Sequence, residues 1–563
     1  MEIALSAVPP WFPNQPYLSV PLLTGILRTA GHQVRQFDLN LQFYEKMFDA
    51  GFLEGYLNRH LPADALLPPS RQELWASRHE VMDSLEDALL IVRGPDFYDP
   101  AKLREAAETL EIGLRLASLP FPEVTLSLGD CKYSFDAFEP AEVARFIGDE
   151  TRNPFLNYFC GEHLPEICKA PPQLYGISVT THEQLIPALT LCFLLRKHCP
   201  QVRIVLGGDI IGRIHAALVA MPELWDLADY LVCGYGEEAI RLLPQAIAGD
   251  VPWSAVPNLI YHGPDGTVRT ARKKSVDMQH LPYPDFDGFS LDRYLSPVCV
   301  LPVELSKGCY WDRCAFCEIV GQGYESKGGL RMAQEIEFLQ GKYGTCHITI
   351  CDSAAPPAHL IQMGALLKER GVEVYWRTML RAEEYITAER ARDLYDAGCR
   401  MVMIGFESGS DAVLRRMDKG GSAATSETVL ANLAGAGVWV HGYFLFGFPG
   451  ETKPDVDLTL SMINRNSHYL RSLGVNLFIL AKDSPAARAA DLVQVHDTLK
   501  PLQIHQPRFA ASGPSPVDDK ELRLLIAEKL RALSPQRAAA QLHLTWTFLH
   551  AQTTNPLRLA KSV

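Results

Sequence analysis

From Val300 to Leu480 the sequence alternates between short apolar runs and amphipathic stretches, and this alternation limits the possible fold more than any other feature. Apolar runs include HITICDS at 347–353, VYWRTML at 374–380, MVMIGFES at 401–408 and VNLFIL at 475–480. Such runs indicate strands, and the stretches between them have helical apolar spacing. Six strand and helix repeats predict a parallel sheet closed partly or completely into a barrel.

A second alternating region lies in the amino-terminal half of the chain. Strand-like runs at 1–8, 174–180, 202–208 and 229–236 are separated by helical segments. This pattern predicts an open, mostly parallel sheet, in which ligands bind at the carboxyl ends of the strands. Glycines at these ends can equally make tight turns. The residues expected at the strand ends are Thr180, Thr181, Gly207, Gly208 and residues 234–238.

The alternation is interrupted once within the amino-terminal region and once after it. Polar helical segments with Pro-rich breaks fill about 45–170 and predict a helical insertion. Turn-forming HGPDG and LPYPDFDGF follow at 262–266 and 281–289 and indicate a linker. A helix is expected near 517–538. The predicted order is an open-sheet region at 1–250, a linker at 251–295, a barrel at 296–500 and a helical carboxyl-terminal region at 501–563.

Composition limits the environment and the partners of the chain. Its 563 residues are 47% hydrophobic and carry a formal net charge of -13. This charge repels a phosphate backbone, and we find no basic patch, so nucleic acid is not expected as a substrate. The start of the sequence lacks a basic segment followed by an apolar one, and no apolar run is long enough to span a bilayer. We therefore expect a cytoplasmic protein without membrane contact.

Cys309, Cys314 and Cys317 form a C-x4-C-x2-C array directly after a predicted strand. The chain has thirteen cysteines, and only these three are tightly spaced. Three thiolates in one loop suit zinc or an iron-sulfur cluster. A structural zinc site normally has a fourth ligand at short spacing, but the next candidates are Cys346 and His347. Spacing alone favours a [4Fe-4S] cluster with one open iron and leaves zinc as the alternative.

The array KGCYWDRCAFC, followed by the strand and helix repeats, resembles the radical S-adenosylmethionine (SAM) superfamily. The usual loop of that family has three residues between its first two cysteines, whereas this one has four. Phe316 matches the aromatic position beside the adenine. The segments IGFESGS at 404–410, DKGG at 418–421 and GYFLFGFPGET at 442–452 resemble the fourth and fifth strand regions of the family barrel.

The resemblance implies a SAM site at the strand ends. Asp352 and Ser353 would hold the amino group, and Glu407 would meet the ribose hydroxyls. Arg377 or Arg381 would pair with the carboxylate, although each could instead form a surface ion pair. The implied SAM-binding set is Phe316, Asp352, Ser353, Arg377, Arg381, Glu407, Ser408, Gly447 and Gly450.

The amino-terminal region is similar to the cobalamin-binding domain of cobalamin-dependent radical SAM enzymes. The matching stretches include YGISVTTHEQLIPALTL, VLGGD and DYLVCGYGEEAI. The sequence lacks the aspartate-x-histidine-x-x-glycine motif, so cobalamin would bind without a protein histidine beneath the cobalt. The implied cobalamin-binding set is Ser178, Thr180, Thr181, Gly207, Gly208, Gly234, Tyr235, Gly236 and Glu237.

Taken together, the resemblances imply C-methylation of an unactivated carbon in a small molecule or peptide, as in natural product biosynthesis. An external donor such as flavodoxin or ferredoxin would reduce the [4Fe-4S] cluster, SAM would yield a 5'-deoxyadenosyl radical, and methylcobalamin would supply the methyl group. Three alternatives stay open: cobalamin-assisted cyclisation or rearrangement, the same chemistry without cobalamin, and a non-catalytic iron-sulfur or zinc binding module.

Overall fold

The chain folds into two compact α/β units. The computed structural model describes residues 1–61, 67–273, 275–495, 499–506, 509–511, 520–521, 524, 528 and 543–553. Unit 1 comprises residues 1–276, 281–299 and 500–503, and unit 2 comprises residues 277–280, 300–499 and 504–563.

Unit 1 is built on a seven-stranded sheet in the order β2-β1-β5-β6-β7-β8-β9. The first five of these strands run parallel, and β8 and β9 add an antiparallel hairpin at one edge. Central strands buried on both faces require continuous apolar sequence, which is the signal that predicted them. The sheet strands are β1 (Glu2–Ala7), β2 (Gln33–Asp38), β5 (Leu174–Ser178), β6 (Arg203–Gly207), β7 (Tyr230–Val232), β8 (Leu259–Gly263) and β9 (Gly266–Arg269).

Helices surround this sheet and form the inserted region. The insertion also contains a hairpin that we did not predict, formed by β3 (Val124–Ser127) and β4 (Asp130–Tyr133) and turning at Gly129 with a φ of 78°. The α-helices of unit 1 are α1 (Ser19–Thr29), α2 (Leu39–Met47), α3 (Ala50–His60), α4 (Pro69–Ala76), α5 (Arg78–Arg93), α6 (Pro100–Ala117), α7 (Pro140–Ile147), α8 (Pro154–Tyr158), α9 (Leu164–Lys169), α10 (Leu185–His198), α11 (Asp209–Ala220), α12 (Pro222–Trp225) and α13 (Glu237–Ala248).

Apart from residues 277–280, the segment predicted as a linker at 251–295 lies in unit 1. The HGPDG sequence forms the turn between β8 and β9. Farther along, the Arg28 guanidinium donates to the Asp285 carboxylate over 2.7 Å. A Cβ at Gly25 of α1 would lie 2.3 Å from the Tyr283 carbonyl oxygen, so this segment packs directly on the helix. Pro and Gly mark turns in linkers and in hairpins alike, and their presence alone could not distinguish the two.

Unit 2 contains a six-stranded parallel sheet in the order β10-β13-β14-β15-β16-β17. Strands follow chain order and alternate with helices, and β10 and β17 form the two edges, as in a partial barrel. This confirms the predicted fold class. The strands are β10 (Val300–Val303), β13 (His347–Ile350), β14 (Tyr375–Leu380), β15 (Cys399–Glu407), β16 (Trp439–Phe446) and β17 (Leu470–Leu477).

Six helices accompany the barrel strands, and a further helix lies near the carboxyl terminus. They are α14 (Gly328–Tyr343), α15 (Pro357–Glu369), α16 (Ala388–Asp396), α17 (Asp411–Arg416), α18 (Ala423–Gly435), α19 (Lys453–Arg465) and α20 (Leu544–Thr553). The short strands of this unit are β11 (Ser306–Lys307), β12 (Glu325–Ser326), β18 (Leu480–Ala481), β19 (Val493–Val495), β20 (His505–Gln506) and β21 (Phe509–Ala511).

Helix α20 lies against the amino-terminal ends of the barrel strands. His347, at the start of β13, contacts Gln552 over 3.0 Å, and Phe548 packs edge-on against the same imidazole. The predicted 501–563 region thus contributes a barrel helix and short strands, while the helix predicted at 517–538 falls largely outside the described residues. Among the helices described, none combines the length and the apolar character needed to cross a bilayer.

Candidate active site

The three clustered cysteines lie in the loop after β11, beyond the carboxyl end of β10. Cys314 is buried, and Cys309 and Cys317 are half-buried. Burial, together with the neighbouring Cys314 and Cys309 thiols, raises the pKa of the Cys317 thiol to about 11. Three thiols close enough to interact in this way form a donor set suited to iron or zinc.

The three thiols of the loop do not surround a single point. In the part of the chain that the structure describes, no three His, Cys, Asp or Glu side chains are placed to hold one metal ion together. A cluster makes a different demand on a protein than a single ion, because each cysteine binds its own iron. The chemistry of the donor set, three thiols in one loop, therefore fits a [4Fe-4S] cluster.

The first two residues of the four-residue gap are anchored by the barrel. The Tyr310 hydroxyl donates to Glu383 over 2.9 Å, and the Trp311 indole N–H donates to the Asp418 carbonyl over 2.8 Å. A Cβ at Gly420, whose φ is +70°, would lie 2.3 Å from the Trp311 ring. Trp311 thus packs on the DKGG segment, where only glycine leaves room for it.

The second pair of gap residues is also anchored. Asp312 has a φ of 50° and accepts a hydrogen bond from the Gly321 N–H over 2.7 Å. The Arg313 guanidinium donates to the Asp418 carboxylate over 3.1 Å. Every residue of the unusual gap therefore has a defined contact, and the longer spacing forms an ordered turn.

Two backbone hydrogen bonds fix the loop between its cysteines. The Ala315 N–H donates to the Met417 carbonyl, and the Ala486 N–H donates to the Ala315 carbonyl, each over 2.8 Å. Ala315 also packs in an apolar cluster with Met417 and with Phe448 of the GFPGE segment. The loop is therefore held by segments that follow the fourth and fifth sheet strands.

Positive charge lies beside the buried thiol. The Arg381 Nη1 atom lies 3.8 Å from the Cys314 sulfur, and the Arg381 side chain stacks over Trp311 at 4.5 Å. Burial raises the pKa of Cys314, whereas Lys419 and Arg381 act in the opposite direction. Both cations favour the thiolate, which is the form that binds iron.

Glu407, Lys419 and Phe316 form a group next to this loop. The Lys419 ammonium donates to the Glu407 carboxylate over 2.9 Å and lies 5.7 Å from the centre of the Phe316 ring. Glu407 has a φ of 62°, a conformation that costs a non-glycine residue about 1–3 kcal/mol. Such strain is typical of functional sites. Two predicted SAM residues, Phe316 and Glu407, are thus brought together through a lysine that we did not predict.

Asp352 has a different environment from the one expected of a SAM ligand. Its carboxylate accepts from the Leu305 N–H over 2.8 Å and from the Ser306 hydroxyl over 2.5 Å. Burial raises its pKa to about 7. Both oxygens therefore shape the turn that leads into the cysteine loop, and we expect this to be the main role of Asp352. The neighbouring Ser353 is exposed.

The GFPGE segment provides a second buried carboxyl group. Gly447 and Gly450 have φ values of 81° and 79°, and the Gly447 N–H donates to the Glu451 carboxylate. Glu451 is 1% exposed, and burial raises its pKa to about 7. Its Oε1 atom has no hydrogen-bond partner among the described residues. An orphaned oxygen beside two glycines fits a polar group of a ligand such as adenine.

Two other predicted SAM residues lie away from the cysteine loop. The Ser408 hydroxyl is fully buried and contacts Thr459 of α19 at 3.0 Å. Arg377 lies on β14, four residues before Arg381, which directly follows the strand, and so is roughly 13 Å lower in the barrel at the usual rise per strand residue. Arg377 donates to Thr349 over 3.1 Å and to Thr545 over 3.0 Å. The two arginines therefore serve different parts of the barrel.

In unit 1 the predicted cobalamin residues lie where the parallel strands end. Ser178 ends β5 and accepts a hydrogen bond from Ser19 over 2.8 Å. A Cβ at Gly208 would lie 2.1 Å from the Val179 carbonyl, at a φ of +110°, so this position requires glycine. A Cβ at Gly207 would meet only ordinary contacts, the nearest at 3.6 Å. These strand ends therefore carry small residues, which allow a ligand to approach the backbone closely.

The remaining predicted cobalamin residues form the turns around these ends. Thr180 and Thr181 donate their backbone N–H groups to the Gln184 side chain over 2.9 and 3.3 Å. Gly234 has a φ of 127°, and the Tyr235 carbonyl accepts from Asn258 over 2.9 Å. Gly236 and Glu237 begin α13. These turns offer hydroxyl and backbone groups, whereas the cysteine loop offers thiols and charge.

Sequence reasoning missed Lys419 and Trp311 as parts of the site. Both stand in segments that we quoted, the DKGG sequence at 418–421 and the gap between the first two cysteines. The signal available was a lysine followed by two glycines after the IGFESGS strand. Their contacts join residues about one hundred positions apart in the sequence, such as Trp311 and Asp418, so the sequence around them does not reveal their partners.

Comparison with known proteins agrees with the geometry of unit 2. Residues 303–463 match the family model of the radical SAM superfamily. An uncharacterised methyltransferase of Pyrococcus horikoshii is 24% identical over 311 residues, which cover 53% of this chain and 65% of that protein. The chain thus spans slightly less than two thirds of this relative.

Two solved structures share the fold. TsrM from Kitasatospora setae, a radical SAM methyltransferase with cobalamin and a [4Fe-4S] cluster bound, has a TM-score of 0.56 and 15% identity, covering 95% of this chain and 89% of that one. The cobalamin-dependent radical SAM enzyme OxsB, with aqua-cobalamin and SAM bound, has a TM-score of 0.55 and 16% identity, covering 66% and 60%. The chain therefore contains a radical SAM domain and has the fold of cobalamin-dependent radical SAM enzymes.

Proposed function

We propose that this chain is a cobalamin-dependent radical SAM methyltransferase that methylates an unactivated carbon of a small natural product or a peptide. The observation that supports it most is the cysteine loop, held by four anchored gap residues at the carboxyl ends of a radical SAM barrel. The likeness of 95% of the chain to TsrM, solved with cobalamin and a [4Fe-4S] cluster, supports the assignment of both cofactors.

In this proposal Cys309, Cys314 and Cys317 hold the cluster, and flavodoxin or ferredoxin reduces it. When bound, the cluster would supply the electron that cleaves SAM, and cobalamin would supply the methyl group. Arg381 and Lys419 would stabilise the Cys314 thiolate by their positive charge. Trp311 would keep the loop in place through its hydrogen bond to Asp418.

The groups beside the loop would bind SAM. The Phe316 ring would contact the adenine, and Glu407 would accept hydrogen bonds from the ribose hydroxyls. Glu451, which we add to the predicted set, would offer its unpaired Oε1 to a polar group of the same ligand. Burial of this carboxyl group keeps water from competing for it.

The strand ends of unit 1 would hold cobalamin, which would supply the methyl group. Ser178 and Thr180 would offer hydroxyl groups, and Gly207 would leave the space for the ring system. Gly208 keeps the backbone of two strand ends together, because a side chain there would collide with Val179. Its role is to shape the site.

Product analysis tests the proposal. The anaerobically prepared protein, reduced in the presence of SAM and hydroxocobalamin, should form both 5'-deoxyadenosine and S-adenosylhomocysteine. The first product reports radical cleavage and the second reports methyl transfer. Formation of 5'-deoxyadenosine alone would indicate a rearrangement, and formation of neither product would contradict the proposed function.

A further inference from the structure

The interior of the unit 2 barrel carries a buried arginine far from the cysteine loop. Trp376 of β14 donates its indole N–H to the Ala397 carbonyl in the surrounding helix layer, over 2.7 Å. Because neighbouring strand residues point to opposite faces, Arg377 points into the barrel. It is 5% exposed. The interior thus contains a cation where most barrels have branched apolar residues.

The neighbours of this cation are neutral. Its Nε–H donates to Thr349, one Nη2–H donates to Thr545 of α20, and Nη1 lies 3.6 Å from the Met403 sulfur. Among the described residues no carboxylate forms an ion pair with Arg377. A guanidinium has five N–H donors, so two of them have no oxygen or sulfur partner here. Leaving a buried cation unpaired is costly, which makes it a strong site for an anion.

The surrounding titratable groups do not supply that anion. Burial and the charge of Arg377 lower the pKa of His441 to about 4 and that of His543 to about 3. Both imidazoles are therefore neutral near pH 7. The His441 ring donates or accepts through Nδ1 at the Ser472 hydroxyl, 2.8 Å away, and packs edge-on against Tyr443. The interior around Arg377 is polar and uncharged.

SAM does not suit this position. On the proposed function, the groups beside the cysteine loop, close to Cys314, would bind SAM. Arg381, which contacts Cys314, lies four residues farther along the strand than Arg377, or roughly 13 Å. Arg377 is too deep to reach a carboxylate at the cluster. Toward the mouth, Tyr443 is half-buried and Cys351 is exposed, so the interior is open in that direction.

We propose that Arg377 binds the carboxylate of the substrate, and that the enzyme therefore acts on a small carboxylic acid or amino acid seated in the barrel. The inference rests on the proposed function and names its substrate class. One guanidinium with two free donors matches a planar monoanion, which accepts both hydrogen bonds. A phosphate dianion would need further cations. Tyr443 and His441 would contact the uncharged part of the same substrate.

Acetate serves as the probe, because it is small and carries only the carboxylate. We would titrate carbon-13-labelled acetate into the cluster-loaded protein with SAM, at constant ionic strength, and follow its NMR line width, with acetamide as the neutral control. Wild type should show saturable acetate binding and no acetamide binding. Arg377→Gln should weaken acetate binding at least tenfold, and Arg377→Lys should weaken it less, because it keeps the charge.

Arg370→Gln is the matched control, since Arg370 is a surface residue of the same unit that pairs with Glu337 over 2.5 Å. It should bind acetate as wild type does. Equal acetate binding by wild type and Arg377→Gln, or no saturable binding by wild type, would overturn the inference. Formation of 5'-deoxyadenosine and S-adenosylhomocysteine, measured on the same samples, separates this result from failure of the proposed function, which would remove at least one of these products in wild type.

Discussion

The two units present their strand ends in contrasting ways. The barrel ends carry thiols, a strained Glu407 paired with Lys419, and Arg381 beside Cys314. The strand ends of unit 1 carry hydroxyls and glycines, and a Cβ at Gly207 would make only ordinary contacts with Val232. Charged and soft groups suit a metal cluster and a cationic cosubstrate, whereas a neutral space suits a large ring system held by shape. The difference teaches that parallel sheets with similar edges can take different ligands through the residues placed at those edges.

The largest expected effect comes from removing a thiol at the barrel strand ends. Cys314→Ser should abolish cluster loading and reduce SAM cleavage to background, because Cys314 is the buried member of the donor set. Cys346→Ser, a half-buried cysteine outside the loop, is the control and should load iron normally. Iron content and 5'-deoxyadenosine yield measure both. A normal iron content in Cys314→Ser would mean that the cluster does not bind at this loop.

A second test asks whether the loop is held by close backbone packing. A Cβ at Gly308 would lie 1.9 Å from the Gly323 carbonyl, whereas one at Gly321 would meet nothing within 4 Å. Their φ values are similar, 73° and 80°. Gly308→Ala should lose about 3 kcal/mol or more of unfolding free energy, and Gly321→Ala about 1 kcal/mol, since only the first also has a collision.

Denaturant unfolding with the iron bound measures this pair. Equal losses for the two alanine variants would mean that the left-handed conformation alone sets the cost, and that close packing at Gly308 does not clamp the loop.

The third test concerns pH. Burial raises the pKa of Asp352 from 3.8 to about 7, so the folded chain keeps a proton that the unfolded chain releases in this range. Its contribution to stability is present below pH 3.8 and is lost as the pH rises to about 7. Asp352→Asn cannot ionise, so this loss should be absent in the variant. Relative to the variant, the unfolding free energy of wild type should fall by up to about 1.4 kcal/mol per pH unit.

Unfolding free energies between pH 5 and 8 measure the effect, with the exposed Asp393→Asn as the control. SAM affinity should stay the same in Asp352→Asn, because both oxygens are used by Leu305 and Ser306. A large loss of SAM binding with an unchanged pH profile would restore the role that the family resemblance implied for Asp352.

The fourth test addresses the strand ends of unit 1. Gly207→Leu should fold normally, because the nearest contact of its Cβ is an ordinary 3.6 Å, yet the leucine side chain would occupy the end of β6 where we propose that cobalamin binds. Corrinoid affinity should fall by about tenfold or more, which is about 1.4 kcal/mol. Gly161→Leu, at an exposed and open position of the same unit, is the control. Unchanged corrinoid binding in Gly207→Leu would place the cofactor elsewhere.

The smallest effect is expected at the exposed end of the gap. The Arg313 side chain is 61% exposed and its partner Asp418 is 44% exposed. Such a pair contributes about 0–1 kcal/mol. Arg313→Gln should therefore change the rate of iron loss to a chelator only slightly. A rate comparable with that of Gly308→Ala would mean that this surface pair also holds the loop.

Much of the fold could be predicted because it follows local patterns. The barrel strands and the sheet of unit 1 are continuous apolar runs at regular spacing, which the sequence displays directly. The β8 and β9 hairpin was missed because its HGPDG turn has the same residues as a linker. The β3 and β4 hairpin has only four residues in each strand, too few for a clear alternation.

Only the site residues that lie in family motifs could be predicted from the sequence. The cysteine spacing identified the loop, but the partners of Asp352 lie about 47 residues away and depend on the packing of neighbouring strands. Likewise, nothing in the sequence around Arg377 and Arg381 separates a residue beside the cysteine loop from one deep in the barrel. Only the position of each along β14 does so.

The central claim is that the C-x4-C-x2-C loop binds a [4Fe-4S] cluster, and metal analysis after anaerobic reconstitution tests it most directly. The wild-type chain should bind about four irons, lost in Cys314→Ser and kept in Cys346→Ser, as expected for a cluster on cysteine thiolates. One tightly bound zinc per chain, with no iron, would contradict the account.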